Sequence, residues 1–230
     1  MSSAGSWIDG VITHNRGPIE ATAARLAETH QAGGLIYTAG SGHSLAMVME
    51  TFFRAGGLAI VKPLFRPELL PLNGALRATE VEREVGIGRG LVTAAGPEPR
   101  DSVIVFSNSG RNPYPVEIAE ESRRHGAAVI AFTSVEASRQ SDPRATRRLY
   151  EVADIILDTW TPVGDVSRPP GEPVTSPLST LSCCALWTEI LAAVVELDPT
   201  MPLWRSANQD GNDGFNQSLT EQLRSRIPEL

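Results

Sequence analysis

Short apolar runs that end in glycine alternate along this chain with longer segments of helical spacing. After Pro18, a residue suited to a first helical turn, Ile19, Ala23, Leu26 and Ala27 repeat at helical intervals; they predict a helix from Ile19 to Thr29 that Gly33-Gly34 stops. Leu35-Ile36-Tyr37-Thr38-Ala39 is too brief for a helix and rich in β-formers, so it predicts a buried strand. A helix follows from Leu45 to Arg54, closed by Gly56-Gly57, and then a second strand from Leu58 to Val61. Pro63, Pro67 and Pro71 forbid regular structure until about Ala75, beyond which Glu80 to Val92 reads as one polar helix. Asp101 to Phe106 is a third strand, Pro115 to His125 a helix stopped by Gly126, and Ala127 to Phe132 a fourth strand. A Ser/Arg-rich loop from Thr133 to Arg148 leads to a fifth strand at Ala153 to Leu157, and a Pro/Gly loop runs from Thr161 to Pro177. Leu181 to Leu197 is the most apolar helix; a tail rich in Asn, Asp and Gly (Trp204 to Asn216) precedes a last short helix at Leu219 to Ile227.

Buried strands alternating with helices, without two-residue hairpin signals, predict parallel β-α units covered on both faces. The expected fold is α/β: a doubly wound, flavodoxin-like five-stranded parallel sheet. At 230 residues the chain suits one domain, with a helical N-terminal segment at about 1–33, a core at about 34–197 and a polar tail at about 198–230. Such sheets bind ligands beyond the carboxyl ends of their strands, at the switch point in strand order. Both Ser/Gly turns, Gly40-Ser41-Gly42-His43-Ser44 and Ser107-Asn108-Ser109-Gly110, fall at strand carboxyl ends.

Charge narrows the range of partners. A net charge of -7, with no linear cluster of cations, opposes binding to nucleic acid or anionic lipid. Lys62 is the one lysine, which leaves anion recognition to arginine forks, backbone amides and hydroxyls. No basic segment followed by an apolar run opens the chain, and no uninterrupted apolar stretch approaches membrane-spanning length, so neither secretion nor a membrane is expected. Cys183 and Cys184 are adjacent in an apolar segment without a partner at metal-ligand spacing; they read as small core residues in a reducing cytoplasm.

In the first turn, Gly40 and Gly42 can take unusual dihedrals and bring amides close to an anion, and Ser44 sits where a helix would begin. Neither the dinucleotide fingerprint nor the P-loop is present, because the third Gly and the Gly-Lys-Ser/Thr element are missing. The second turn repeats the arrangement with the hydroxyls of Ser107 and Ser109 and the donors of Asn108 and Gly110. Hydroxyls and amides without a fixed cation suit a neutral polyol carrying one phosphate.

This pair of turns resembles the sugar isomerase (SIS) domain superfamily, which includes phosphoheptose isomerase. Further blocks, among them Arg54-Ala55-Gly56-Gly57, Gly74-Ala75-Leu76, Pro162-Val163-Gly164-Asp165 and Arg205-Ser206-Ala207-Asn208, are similar to an uncharacterised phosphosugar-binding subgroup. The resemblance covers most of the chain. It implies that Ser107, Ser109 and the amides around Asn108 and Gly110 hold a sugar phosphate, that Ser41, His43 and Ser44 line the same pocket, and that the protein is a homodimer or homotetramer. Zinc-binding phosphoheptose isomerases carry a His and a Glu six and ten residues beyond the first-turn serine; Glu50 and Arg54 stand there, so neither a metal nor another cofactor is expected.

Aldose–ketose isomerisation needs a base beside the carbonyl and a group that moves a proton between two oxygens. Glu82 matches a Glu-Arg pair of the subgroup and is the candidate base; a solvated helix face is the competing reading. His43 is either a proton shuttle or a hydrogen-bond donor to substrate. Glu50 either faces the pocket or pairs with Arg54 at helical spacing. His14, His30 and His125 are expected on the surface, while Asn208 in the polar tail either reaches substrate or serves the turn. An isomerase is the leading expectation. A non-catalytic phosphosugar sensor or assembly factor and an amino-sugar-phosphate lyase or etherase are the alternatives.

Overall fold

Glycine-punctuated apolar runs become the strands of a five-stranded sheet in the computed structural model, which describes residues 4–230. The strands are β1 (Ile36–Gly40), β2 (Val61–Leu64), β3 (Ser102–Phe106), β4 (Ala128–Thr133) and β5 (Ile155–Asp158), in the order β2-β1-β3-β4-β5. Every pairing is parallel; Ile36 stands beside Ser102, and Ser102 beside Ala128. All residues of β1 and β3 are buried, which is why they read as continuous apolar runs rather than as an alternation. The chain leaves β1 toward β2 and then crosses back to β3, so the switch point lies between β1 and β3, at the ends that carry the two Ser/Gly turns.

Helices α1 (Ala4–His14), α2 (Arg16–Gln31), α3 (Leu45–Thr51), α4 (Ala75–Val81), α5 (Ile87–Ala95), α6 (Pro113–Arg124), α7 (Val135–Gln140), α8 (Ser179–Leu197) and α9 (Asp213–Leu223) complete the fold. One layer packs α2 against α8 and the sheet, while the other packs α5 against α6 and the central strands. Between the layers Phe106 and Phe132 meet with ring centroids 4.7 Å apart.

Several elements differ from the sequence expectation. The second strand starts at Val61 rather than Leu58 and includes Pro63; β2 is an edge strand, where a residue without an N–H does not break an inner ladder. Residues 56–59 pair instead with 202–204, through Gly56 N to Trp204 O, Ala59 N to Pro202 O and Trp204 N to Gly57 O. The single helix expected over Glu80 to Val92 is two, α4 and α5, broken at Gly86, whose φ of 97° lies in the left-handed region. Strands β6 (Val166–Arg168) and β7 (Thr175–Pro177) form an antiparallel hairpin inside the Pro/Gly loop. Helix α8 is long and apolar enough to cross a membrane, contrary to expectation, yet Cys183, Leu186, Trp187, Ile190 and Val194 form a buried stripe on it. Only 33% of its apolar stretch is buried, so that stripe accounts for part of the apolar composition and leaves the rest outside the core. Burial pushes the Cys183 thiol well above its ordinary value and raises that of Cys184.

His30 is not a free surface residue. Its Nδ1 lies 2.7 Å from Oδ2 of the buried Asp198, which also accepts from Thr200 N and Oγ1 and so ties the end of α2 to the segment after α8. The hydrogen bond with His30, followed by that from Thr200, holds the Asp198 carboxyl at about 2, below its ordinary 3.8. A depressed carboxyl stabilises the fold fully above its unfolded value and loses that contribution as pH falls through the folded one. Asp198→Asn is therefore expected to melt below the parent protein at neutral pH, with the gap in Tm narrowing between pH 3.8 and about 2. A gap that stays constant with pH would contradict this assignment.

Candidate functional site

The first turn is shaped by close backbone approach. A Cβ on Gly40 would lie 2.8 Å from the carbonyl oxygen of Ser44, so only glycine lets β1 run directly into the turn. Gly42 to Ser44 form one 3-10 turn that continues into α3, with Gly42 at a φ of 59°. Ser44 N is committed to Ser41 O at 3.1 Å, while Ser41 Oγ points across the turn and donates to Glu82 Oε2 at 2.8 Å.

The second turn is anchored from behind. Ser107 N donates to Phe132 O, and Gly110 N donates to Ser107 Oγ at 3.2 Å. Asn108 turns its acceptors inward: its carbonyl takes Ser134 N and Thr133 Oγ1, and its Oδ1 takes Thr159 Oγ1 at 2.7 Å and Thr161 Oγ1 at 2.9 Å. Those bonds fix the loop while the amides of Asn108 and Ser109 keep no acceptor among the described residues. Two free amides beside a serine hydroxyl could donate to an anion without a cation.

Both turns open on a cavity of about 280 Å³, which Glu82, Asn112, Asp165 and Ser179 complete. Glu82 sits just after α4 and is held at both oxygens, by Ser41 and by Asn112 Nδ2 at 2.6 Å, while its carbonyl accepts Tyr114 N at 3.2 Å. Two neutral donors orient the carboxylate without an ion pair. Asn112 in turn accepts from Arg144 Nη1 at 3.1 Å. On the other wall Asp165 accepts from Leu178 N, Ser179 N and Ser179 Oγ, which occupies its oxygens in starting α8. A larger groove of about 670 Å³, between Trp7, Trp160 and the β6–β7 hairpin, contains none of the candidate residues.

Of the sequence candidates, Ser41, His43, Ser44, Glu82, Ser107, Asn108 and Ser109 line one cavity, and Gly40, Gly42 and Gly110 shape its backbone. His43 is exposed at the mouth. Glu50 pairs with Arg54 and Asn208 lies in an exposed turn with its N–H on Ser206 Oγ, and neither lines the cavity. Asn112, Asp165 and Ser179 were not among the site residues expected from sequence. Asn112 could have been suspected from its place two residues past the second turn, whereas only the tertiary fold brings Asp165 and Ser179 there. No group of three His, Cys, Asp or Glu side chains is close enough to hold a metal ion among the described residues.

The chain has known relatives in sequence and in fold. The SIS domain family matches residues 1–134. A UPF0309 protein of Geobacillus kaustophilus is 32% identical over 228 residues, covering 96% of this chain and 91% of the relative. A UPF0309 protein of Listeria monocytogenes is 31% identical over 231 residues, covering 97% and 94%. Among solved structures, the phosphoheptose isomerase of Neisseria gonorrhoeae superposes with a TM-score of 0.57 at 15% identity, over 83% of this chain and 92% of that one. The sugar isomerase domain of an RpiR transcription factor from Sphaerobacter thermophilus gives a TM-score of 0.53 at 16% identity, over 85% and 87%.

Proposed function

Because the chain belongs to the SIS domain family and, within it, to the UPF0309 group, we propose that it binds a sugar phosphate at the β1/β3 switch point and interconverts its aldose and ketose forms. The observation that carries this reading is the pairing, in one cavity, of an anion cradle at Ser107–Gly110 with a carboxylate, Glu82, held in place by two neutral donors. The phosphate accepts from the free amides of Asn108 and Ser109 and from Ser109 Oγ. Glu82 takes the proton from carbon two; the electron pair of that C–H bond forms the enediol, and the carboxyl returns the proton to carbon one. His43, exposed at the mouth, passes the second proton between the two oxygens. A sensor without turnover is the second reading, favoured by the match to the sugar isomerase domain of a transcription factor.

The binding half is tested by thermal stability. Sugar phosphates of five to seven carbons are expected to stabilise the protein by about 2.7 kcal/mol at a hundred times the dissociation constant, and the unphosphorylated sugars not at all. Equal shifts with and without phosphate would overturn the reading. Ser109→Ala removes a hydrogen bond to a charged group, so the dissociation constant is expected to rise by about 10- to 150-fold, equivalent to about 1.5–3 kcal/mol. Calorimetric titration measures it; an unchanged constant would remove Ser109 from the cradle.

A further inference from the structure

The phosphate cradle is uncharged, but the rim beside Glu82 is not. Arg83 follows Glu82 directly, Arg111 follows Gly110, and the loop after α7 brings Arg144 to Arg111. Arg144 N donates to Arg111 O at 3.0 Å and its Nη1 to Asn112 Oδ1 at 3.1 Å, while Arg111 Nη1 donates to Asp142 O at 3.2 Å. None of the three arginines forms an ion pair among the described residues, although the chain carries 27 acidic against 20 basic side chains. Glu82 is the carboxylate that acts on Arg144, and its oxygens already accept from Ser41 and Asn112. Partial desolvation, and after it the charges of Arg111 and Arg83, hold the Arg144 guanidinium below its ordinary value; Glu82 acts in the opposite sense. Like charges gathered with so little compensation repel, and an arriving anion relieves that repulsion.

We propose that Arg83, Arg111 and Arg144 form a second anion subsite at the Glu82 end of the cavity, so that the ligand is a doubly anionic sugar phosphate. One phosphate sits on the Ser107–Gly110 turn, and a carboxylate or second phosphate on a carbon other than the reacting carbons one and two meets the arginine rim. Guanidinium groups suit this role, since their planar fork matches both carboxylate and phosphate oxygens. The inference rests on the proposed sugar-phosphate site and adds its ligand class. It also amends the sequence expectation of a neutral polyol with one phosphate.

Calorimetric titration of the full chain with three binding probes tests it: a hexose 6-phosphate, its 3-O-carboxymethyl ether, and the hexose 3,6-bisphosphate. At least one of the doubly charged probes is expected to bind about tenfold or more tightly than the monophosphate, which corresponds to about 1.4 kcal/mol. The carboxymethyl ether against the bisphosphate tells carboxylate from phosphate. In Arg83→Gln/Arg144→Gln, checked by its melting curve to be folded, the advantage is expected to shrink to within about twofold. If the monophosphate binds and neither doubly charged probe binds more tightly, the second subsite is overturned and the sugar-phosphate site stands. An advantage that survives intact in the folded double variant also overturns it. If no probe binds, the proposed function fails and the inference with it.

Discussion

Glu82→Gln is expected to lower exchange of the carbon-two proton with deuterium by about a hundredfold or more, the usual contribution of a positioned acid or base, while sugar-phosphate affinity persists. Glutamine keeps the shape and can still accept from Ser41 or Asn112, which hold the carboxylate at 2.8 and 2.6 Å, but it cannot take a proton. The proposed phosphate ligands lie in the turn after β3 while Glu82 follows α4, so binding and turnover should separate. The assay follows exchange by nuclear magnetic resonance across a panel of sugar phosphates and needs no knowledge of the product. Unchanged exchange in Glu82→Gln would acquit Glu82 and turn attention to His43. No exchange by the unaltered protein with any tightly bound sugar phosphate would favour the sensor.

Gly110→Ala should be the most damaging small substitution in the site. At a φ of 55° an added Cβ would lie 2.8 Å from Thr133 Oγ1 and 3.1 Å from Leu149 Cβ. The left-handed backbone costs an alanine about 1–2 kcal/mol and the overpacking about 1–3 more, giving a loss of about 2–5 kcal/mol. For a chain of 230 residues this lowers Tm by at least about 4 °C. Gly33→Ala is the matched control: its φ is 68° with nothing within 4 Å, so only the backbone cost applies. Sugar-phosphate binding should be lost in the first variant and kept in the second. Equal melting temperatures for the two would contradict the packing argument.

What the sequence reveals depends on how locally each feature is determined. Strands β1, β3 and β4 are buried on both faces and end at glycine or serine turns, so an apolar run and its punctuation suffice to find them. Pro63 misdirects the reading of β2, because edge position is a property of the assembled sheet. Helix α1 carries two glycines and buries Val11 alone, which leaves little periodicity to detect. Helix α7 has six residues, although Ser134, which caps it by accepting from Ala137 N, is a signal that was present. In the site, the glycines and serines of the turns are legible because backbone approach demands them. Family resemblance pointed to Glu82, but its two donors belong to other segments and emerge only in three dimensions. Asp165 lies early in a long loop and falls in the block Pro162-Val163-Gly164-Asp165 without a role attached to it, whereas no local pattern marks Ser179 at the start of α8.

A crystal structure with a bound sugar phosphate would decide whether the two Ser/Gly turns and Glu82 form one site. The phosphate is expected on the amides of Asn108 and Ser109 and on Ser109 Oγ, with a Glu82 oxygen within proton-transfer reach of carbon two. A phosphate bound away from that turn, for example in the groove between Trp7 and Trp160, would contradict it.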